Sequence, residues 1–235
     1  MDQTSPRRRP TEGGYARGEE TRLRIIATAI PMFGRKGFDG VSTREIAAEA
    51  GVNPPALQYY FDSKEGLYRA CAEHIVEQVA GVAEPVLSRA ERLLAEDAPK
   101  SALIEAYCAI METMAELLFG DVAAEGWSDF FATEQAGFGQ AIAMGILRER
   151  FVDRLQDTGA AVIGRLMGKD KDDPEVRIRF FAIDGQFKIF HVARRAVLAC
   201  LCWQDFSPEQ VRLIKSVVVE QTRSLLTSLA ERSPS

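Results

Sequence analysis

Apolar residues recur at intervals of three and four along almost the whole chain, as at Leu103, Tyr107, Ile110, Met111 and Met114. No stretch alternates in the two-residue rhythm of a strand bounded by turn residues. The pattern predicts an all-α protein of about nine helices. A first helix over Glu19–Lys36 would bury Leu23, Ile26, Ala27, Ile30 and Phe33, stop at Gly37, and bend at Pro31, which deletes one backbone hydrogen bond. Ser42-Thr43-Arg44-Glu45 has the reciprocal form of a capping box and opens a short second helix that ends before Gly51. Asn53 caps a third, with Pro54 and Pro55 in the first turn, where a missing N–H costs little, and that helix ends at Tyr60 or Phe61. Ser63 and Gly66 open a fourth that extends to about residue 92. Breaks at 96–99, 120–126, 137–139, 168–174 and 205–208 divide the remainder into about five helices.

Two of these later helices are unusual. Pro174 to Trp203 is apolar nearly all round, with Phe180, Phe181, Ile183, Phe187, Ile189, Phe190, Val192, Val197, Leu198 and Leu201, and so needs cover on more than one side. Pro208 to Ala230 carries Val211, Ile214, Val217, Val218, Leu225 and Leu229 along one stripe, with Leu213 and Leu226 beside it. Pairing 174–203 and 208–230 with their copies from a second chain would make a four-helix homodimer interface.

The segment Thr43–Tyr60 has the spacing of a helix-turn-helix. Small Ala47 lets two helices cross closely, Gly51 can take the left-handed turn conformation, and Ile46, Val52 and Leu57 fill the core between the helices. With Leu57 and Phe61 facing inward, the third helix presents Pro54, Pro55, Gln58 and Tyr59, flanked by Tyr60 and Lys64. Gln58 can contact an adenine edge with both ends of its amide, and the proline rings can pack on thymine methyl groups in a major groove. Thr43 and Arg44 stand at a helix start, where amides, a hydroxyl and a guanidinium can hold phosphate, or where Arg44 can reach a guanine. Tyr59, Tyr60 and Lys64 would clamp the backbone on the other side. In a dimer, two such heads would read half-sites of a palindrome roughly 34 to 36 Å apart.

Charge changes this picture only slightly. Residues 1–70 hold 11 basic and 9 acidic side chains, a balance of +2, while the rest carry −7, which makes the total of −5. Expected DNA contacts therefore rest on helix geometry and local charge placement, not on net charge. Over 235 residues, 46% apolar content with only 28 glycines and prolines gives enough material for a sizeable core and excludes disorder and collagen-like repetition. The longest apolar run, Ala196–Trp203, is too short to span a bilayer. Arg7, Arg8 and Arg9 are followed by no apolar stretch, so no secretory leader and a cytoplasmic location are expected.

Cys71, Cys108, Cys200 and Cys202 form no C-x-x-C pair and read as reduced core thiols, and with only His74 and His191 no metal site is expected. The chain has no G-x-S-x-G and no phosphate loop, and Gly137-Phe138-Gly139 lacks the third glycine of a dinucleotide fingerprint. An enzyme is not expected, and no cofactor is implied. Aromatic and sulfur-bearing residues at Tyr107, Met111, Met114, Phe119, Trp127, Phe130, Phe131, Phe138, Phe187 and Phe190 are interspersed with polar Glu134, Gln135, Asp184, Gln186 and His191. A cavity with a few convergent polar atoms is the usual site for a small ligand, and most of these residues would otherwise be ordinary core.

The stretch VSTREIAAEAGVNPPALQYYFDSKEGLYRA closely resembles the DNA-binding domain of TetR/AcrR-family transcriptional regulators, and DDPEVRIRFFAIDGQFKIFHVARRAVLACLCWQDFSPEQV resembles the C-terminal domain of its CecR-like branch. Residues 1–18, with three consecutive arginines among other polar residues, read as a flexible basic arm, and the resemblance implies a DNA-binding domain over 19–66 and an effector-binding and dimerisation domain over 67–235. By the same resemblance, operator contacts fall on Thr43, Arg44, Pro54, Pro55, Gln58, Tyr59, Tyr60 and Lys64. A small, largely apolar effector, expected among Tyr107, Met111, Met114, Trp127, Phe130, Phe131, Glu134, Phe138, Phe187 and His191, would release a repressor from its operator. The alternative is a DNA-binding protein that answers to no effector.

Overall fold

The computed structural model describes residues 12–120, 126–134, 137 and 139–232. Arg7–Arg9 of the expected arm, and Gln135 and Phe138 among the expected effector residues, lie outside them. Helix follows helix: α1 (Glu12–Lys36), α2 (Thr43–Glu49), α3 (Pro54–Phe61), α4 (Lys64–Ala95), α5 (Lys100–Phe119), α6 (Ser128–Thr133), α7 (Ile142–Leu147), α8 (Asp153–Met167), α9 (Pro174–Val192), α10 (Arg194–Leu201) and α11 (Pro208–Arg232), with a π-helical turn at Arg148–Val152 joining α7 to α8. No strand occurs among the described residues. The fold is all-α, as the periodicity requires.

The chain divides into two compact units. The first holds the described residues up to His74 together with those of Asp129–Ala143; the second holds Ile75–Ser128 and the described residues from Met144 onward. In the first, α1 runs on through Pro31 and begins at Glu12, seven residues before the expected start. Its buried face holds Ile25, Ile26, Ala29, Ile30, Met32 and Phe33, while Leu23 and Ala27 are exposed, contrary to the sequence reading. The apolar arc is centred on Ile26, Ile30 and Phe33 and leans towards Ile25, Ala29 and Met32, which leaves Leu23 and Ala27 on the wet edge.

The second unit has a single large core. From α4 it takes Ala83, Leu87 and Ala90, from α5 Leu103, Tyr107 and Met111, from α8 Leu155, Val162 and Ile163, from α9 Phe180, Ile183 and Phe187, and from α11 Ile214, Val218 and Leu226. Gly159 of α8 leaves room for α9, since a Cβ there would lie 2.4 Å from the ring of Phe180. The helix expected over Pro174–Trp203 is broken at Ala193, whose ψ of 29° ends α9 before α10 begins. With the extra division between α7 and α8, the region after residue 95 contains more and shorter helices than expected. Cys71 and Cys108 are buried, but Cys200 and Cys202 are exposed at the end of α10, so the expectation of four core thiols is corrected for that pair.

Candidate nucleic-acid interface

Local chemistry fixes where α2 and α3 start before any long-range contact does. Ser42 Oγ accepts from the Glu45 amide at 3.2 Å, and the Glu45 carboxylate accepts from the Ser42 amide at 2.8 Å, so both ends of the capping box close at the start of α2. Bonds from the Ser42 amide and hydroxyl, and the Lys36 ammonium 3.2 Å away, hold the Glu45 carboxyl down at about 2. Asn53 Oδ1 accepts from the Ala56 amide at 3.0 Å to cap α3, and Pro54 and Pro55 occupy its first turn. Between the helices Gly51 sits at φ 66°, in the left-handed region, and Arg24 of α1 donates to the Ala50 carbonyl at 3.2 Å, closing the turn from a third helix. Nothing in the periodicity marked Arg24 for that task.

This scaffold buries Ile46, Ala47, Leu57 and Phe61 and turns the opposite face of α3 outward. Pro54, Pro55, Gln58 and Tyr59 are exposed, Tyr59 at 82%. The Gln58 amide donates to the carbonyl of Asp62, the residue that ends α3 at φ 60°. Tyr60 is half-buried and meets Tyr59 edge-on at 5.1 Å. Arg44 is exposed beside half-buried Thr43 at the start of α2. Lys64 is half-buried at the start of α4, its ammonium 4.4 Å from the centre of the Phe38 ring, where a cation is held electrostatically while its N–H bonds stay available. All eight residues expected to contact an operator thus lie on α2, α3 or the first residue of α4, within one small unit.

The expected effector residues divide between the units. Tyr107, Met111 and Phe187 are buried in the core of the second, with Met114 packed against them. Burial, then the nearby Asp184 carboxylate, pushes the Tyr107 hydroxyl pKa up. Phe187 belongs to an aromatic group with Phe119, Phe190 and Phe206, the rings of Phe119 and Phe206 being 5.8 Å apart. Trp127 is buried, and its indole N–H finds no acceptor among the described residues. His191 lies within α9. None of these residues lines the open groove of about 310 Å³ between α5 and α11, which the Arg223–Glu105 ion pair and the Lys100 bond to the Ala230 carbonyl tie together.

Phe130, Phe131 and Glu134 belong to the first unit. Phe130 stacks on Tyr68 at 4.6 Å and meets Phe33 edge-on, Thr133 Oγ1 donates to the Gly34 carbonyl at 2.7 Å, and the Tyr68 hydroxyl donates to the buried Glu134 carboxylate. Burial first, then that bond, raises the Tyr68 pKa. Gly139 closes over this pair; a Cβ there would lie 2.7 Å from both the Tyr68 hydroxyl and Glu134 Oε2. Tyr68 had carried no expected role. The signal for it was the polar Glu134 set among aromatic residues, which demanded a buried partner.

Comparison with known proteins decides what this scaffold is. The profile of "Bacterial regulatory proteins, tetR family" matches residues 25–71, and that of the "HTH-type transcriptional dual regulator CecR, C-terminal domain" matches 103–229. The HTH-type transcriptional dual regulator CecR of Shigella flexneri is 31% identical over 92% of this chain and 96% of its own. The chain belongs to the TetR family of transcriptional regulators, with a CecR-type C-terminal domain. TetR-family architecture recurs in solved structures: a regulator from Mesorhizobium loti aligns at a TM-score of 0.59 with 16% identity, covering 91% of this chain and 98% of its own. FadR from Bacillus subtilis, solved in complex with stearoyl-CoA, aligns at 0.56 with 18% identity over 86% of this chain and 97% of its own. As a TetR-family member, the protein is a DNA-binding transcriptional regulator and not an enzyme.

Proposed function

We propose that this regulator is a homodimeric repressor that a small, largely apolar effector releases from a palindromic operator. The observation that carries the reading is the outward face of α3, where Pro54, Pro55, Gln58 and Tyr59 are solvent-exposed on a helix whose opposite face is buried. Arg44 and Thr43 would hold phosphate on one side of the groove, Tyr60 and Lys64 on the other. For base contact, Gln58 exchanges its bond to the Asp62 carbonyl for an adenine edge.

Dimerisation is supported by apolar side chains left in water along the C-terminal helices. Ile178, Phe181, Ile189 and Val192 of α9, Leu201 of α10, and Leu213, Val217 and Leu225 of α11 are exposed, Phe181 at 54% and Val192 at 78%. An apolar surface of that extent marks an interaction face, and a second copy of α9–α11 offers the matching one. For the effector, support comes from the aromatic group at Phe119, Phe187, Phe190 and Phe206, and from the buried Trp127 N–H, which an effector's carbonyl or carboxylate would satisfy. The CecR relative is described as a dual regulator. Release from DNA raises or lowers transcription according to where an operator lies relative to its promoter.

A compound screen tests the effector half. A ligand that raises the melting temperature and, at the same concentration, weakens binding to the protein's own promoter duplex by about 5- to 150-fold supports it. Compounds that stabilise the protein yet leave DNA affinity unchanged would leave the effector-independent alternative standing.

A further inference from the structure

Helix α4 runs from Lys64 in the reading unit to Ala95 in the second, and it contains Gly81 and Pro85, one helical turn apart. Proline at that position has no N–H to give to the Gly81 carbonyl, and its ring presses on the same carbonyl. Glycine, as at Gly81, has the lowest intrinsic helix preference of any residue but proline. Both are exposed, and a Cβ built at Gly81 would meet nothing within 4 Å, so packing does not require a glycine there.

The pair lies inside the second unit, which begins at Ile75, at the edge of a core on which Val79 already packs. Immediately beyond Gly81, Ala83, Leu87 and Ala90 enter the core of the second unit, and the Arg154 guanidinium of α8 bonds to Glu84, Ser88 and Glu91 on the adjoining face. The Arg154 Nε bond to Glu91 is 2.8 Å, and Thr158 donates to the same carboxylate at 3.1 Å. The last turns of α4 are therefore riveted, and the weakened turn sits at the first rivet.

We infer that Gly81 and Pro85 form a hinge that sets how far the regulator tolerates changes in the spacing of operator half-sites. This deepens the dimeric-repressor reading and rests on it. Inserting one base pair between half-sites moves them apart by about 3.4 Å and turns one relative to the other by roughly 35°. A stiff α4 has to bear that mismatch in distorted DNA or lost contacts, whereas a hinged one absorbs it by rotation about the Gly81–Pro85 turn.

The double variant Gly81→Ala/Pro85→Ala restores the missing bond and the helix preference. Wild type and variant are titrated by fluorescence anisotropy against the footprinted promoter operator and against duplexes with one base pair inserted or deleted at its centre. The hinge predicts that wild-type affinity falls by less than about tenfold on the altered duplexes, and the variant's by about a hundredfold, a further 1.4 kcal/mol. It also predicts a higher melting temperature and undiminished binding to the natural spacing. Equal losses for the two proteins overturn the inference. Hydrogen exchange on the free protein keeps the hinge testable if the dimeric reading fails: amides around 81–87 should exchange faster than those on either side, and uniform protection along Lys64–Ala95 would overturn it.

Discussion

The proposed DNA contacts give Gln58 and Lys64 different work, and substitution separates them. Replacing Lys64 with alanine removes one cation from the phosphate track and its hold on the Phe38 ring, so all duplexes should lose affinity alike and the slope of log K against log salt should flatten by about 1. Gln58→Ala should instead cost about 1–3 kcal/mol on operator and almost nothing on random DNA, measured by titration at fixed salt. Loss of equal size on both duplexes for Gln58→Ala would remove it from base reading. Away from that surface, Tyr68→Phe deletes the hydroxyl that serves the buried Glu134 carboxylate and should destabilise the reading unit by about 1–3 kcal/mol in a denaturant melt. An unchanged midpoint would mean that the bond contributes nothing. The surface residues could be read from spacing alone, because Leu57 and Phe61 must face inward and their neighbours then face out. Tyr68 could not, since its partners at Phe33, Phe130 and Glu134 are remote in sequence and share no period with it.

At the level of elements, caps determine where the reading helices start, and the Glu45 carboxylate makes that start sensitive to acid. Its folded pKa of about 2 lies below the ordinary 4.5, so its contribution is complete above pH 4.5 and disappears as pH falls towards 2. Melting temperatures of wild type and Glu45→Gln should coincide near pH 2, separate as pH rises to 4.5 and stay a constant distance apart above it; curves parallel over the whole range would contradict the role of the charge. The starts of α2 and α3 were legible because Ser42, Glu45, Asn53 and Pro54 act within a few residues of themselves. The break between α9 and α10 was not, because Ala193 is a good helix former and no glycine, proline or capping residue marks a stop there. The phase of α1 was read one edge too far, since Leu23 and Ala27 are as apolar as their buried neighbours. The placement of Phe130 and Glu134 beside α1 and α4 depends on contacts across about 60 to 100 residues of chain, beyond any local pattern.

For the whole molecule, the exposed apolar face of α9–α11 and the outward face of α3 have to work together if two heads are to read one palindrome. Ile189→Asp or Val192→Asp places a charge in the proposed interface and should shift the protein towards monomer in sedimentation velocity, with operator affinity falling and each head still folded. A wild-type monomer, or a charge variant that remains dimeric, would move the interface elsewhere. On the proposed dimer, the exposed Cys200 and Cys202 beside Leu201 would be covered by the second copy, as residues read as core should be. Recognition through α3 stands or falls most directly on an anisotropy titration of the full-length protein against its own promoter duplex and a scrambled duplex of equal length, at one fixed salt concentration. A helix that reads base edges predicts binding about 10³-fold or more tighter to the promoter. Equal affinity for the two duplexes would contradict it.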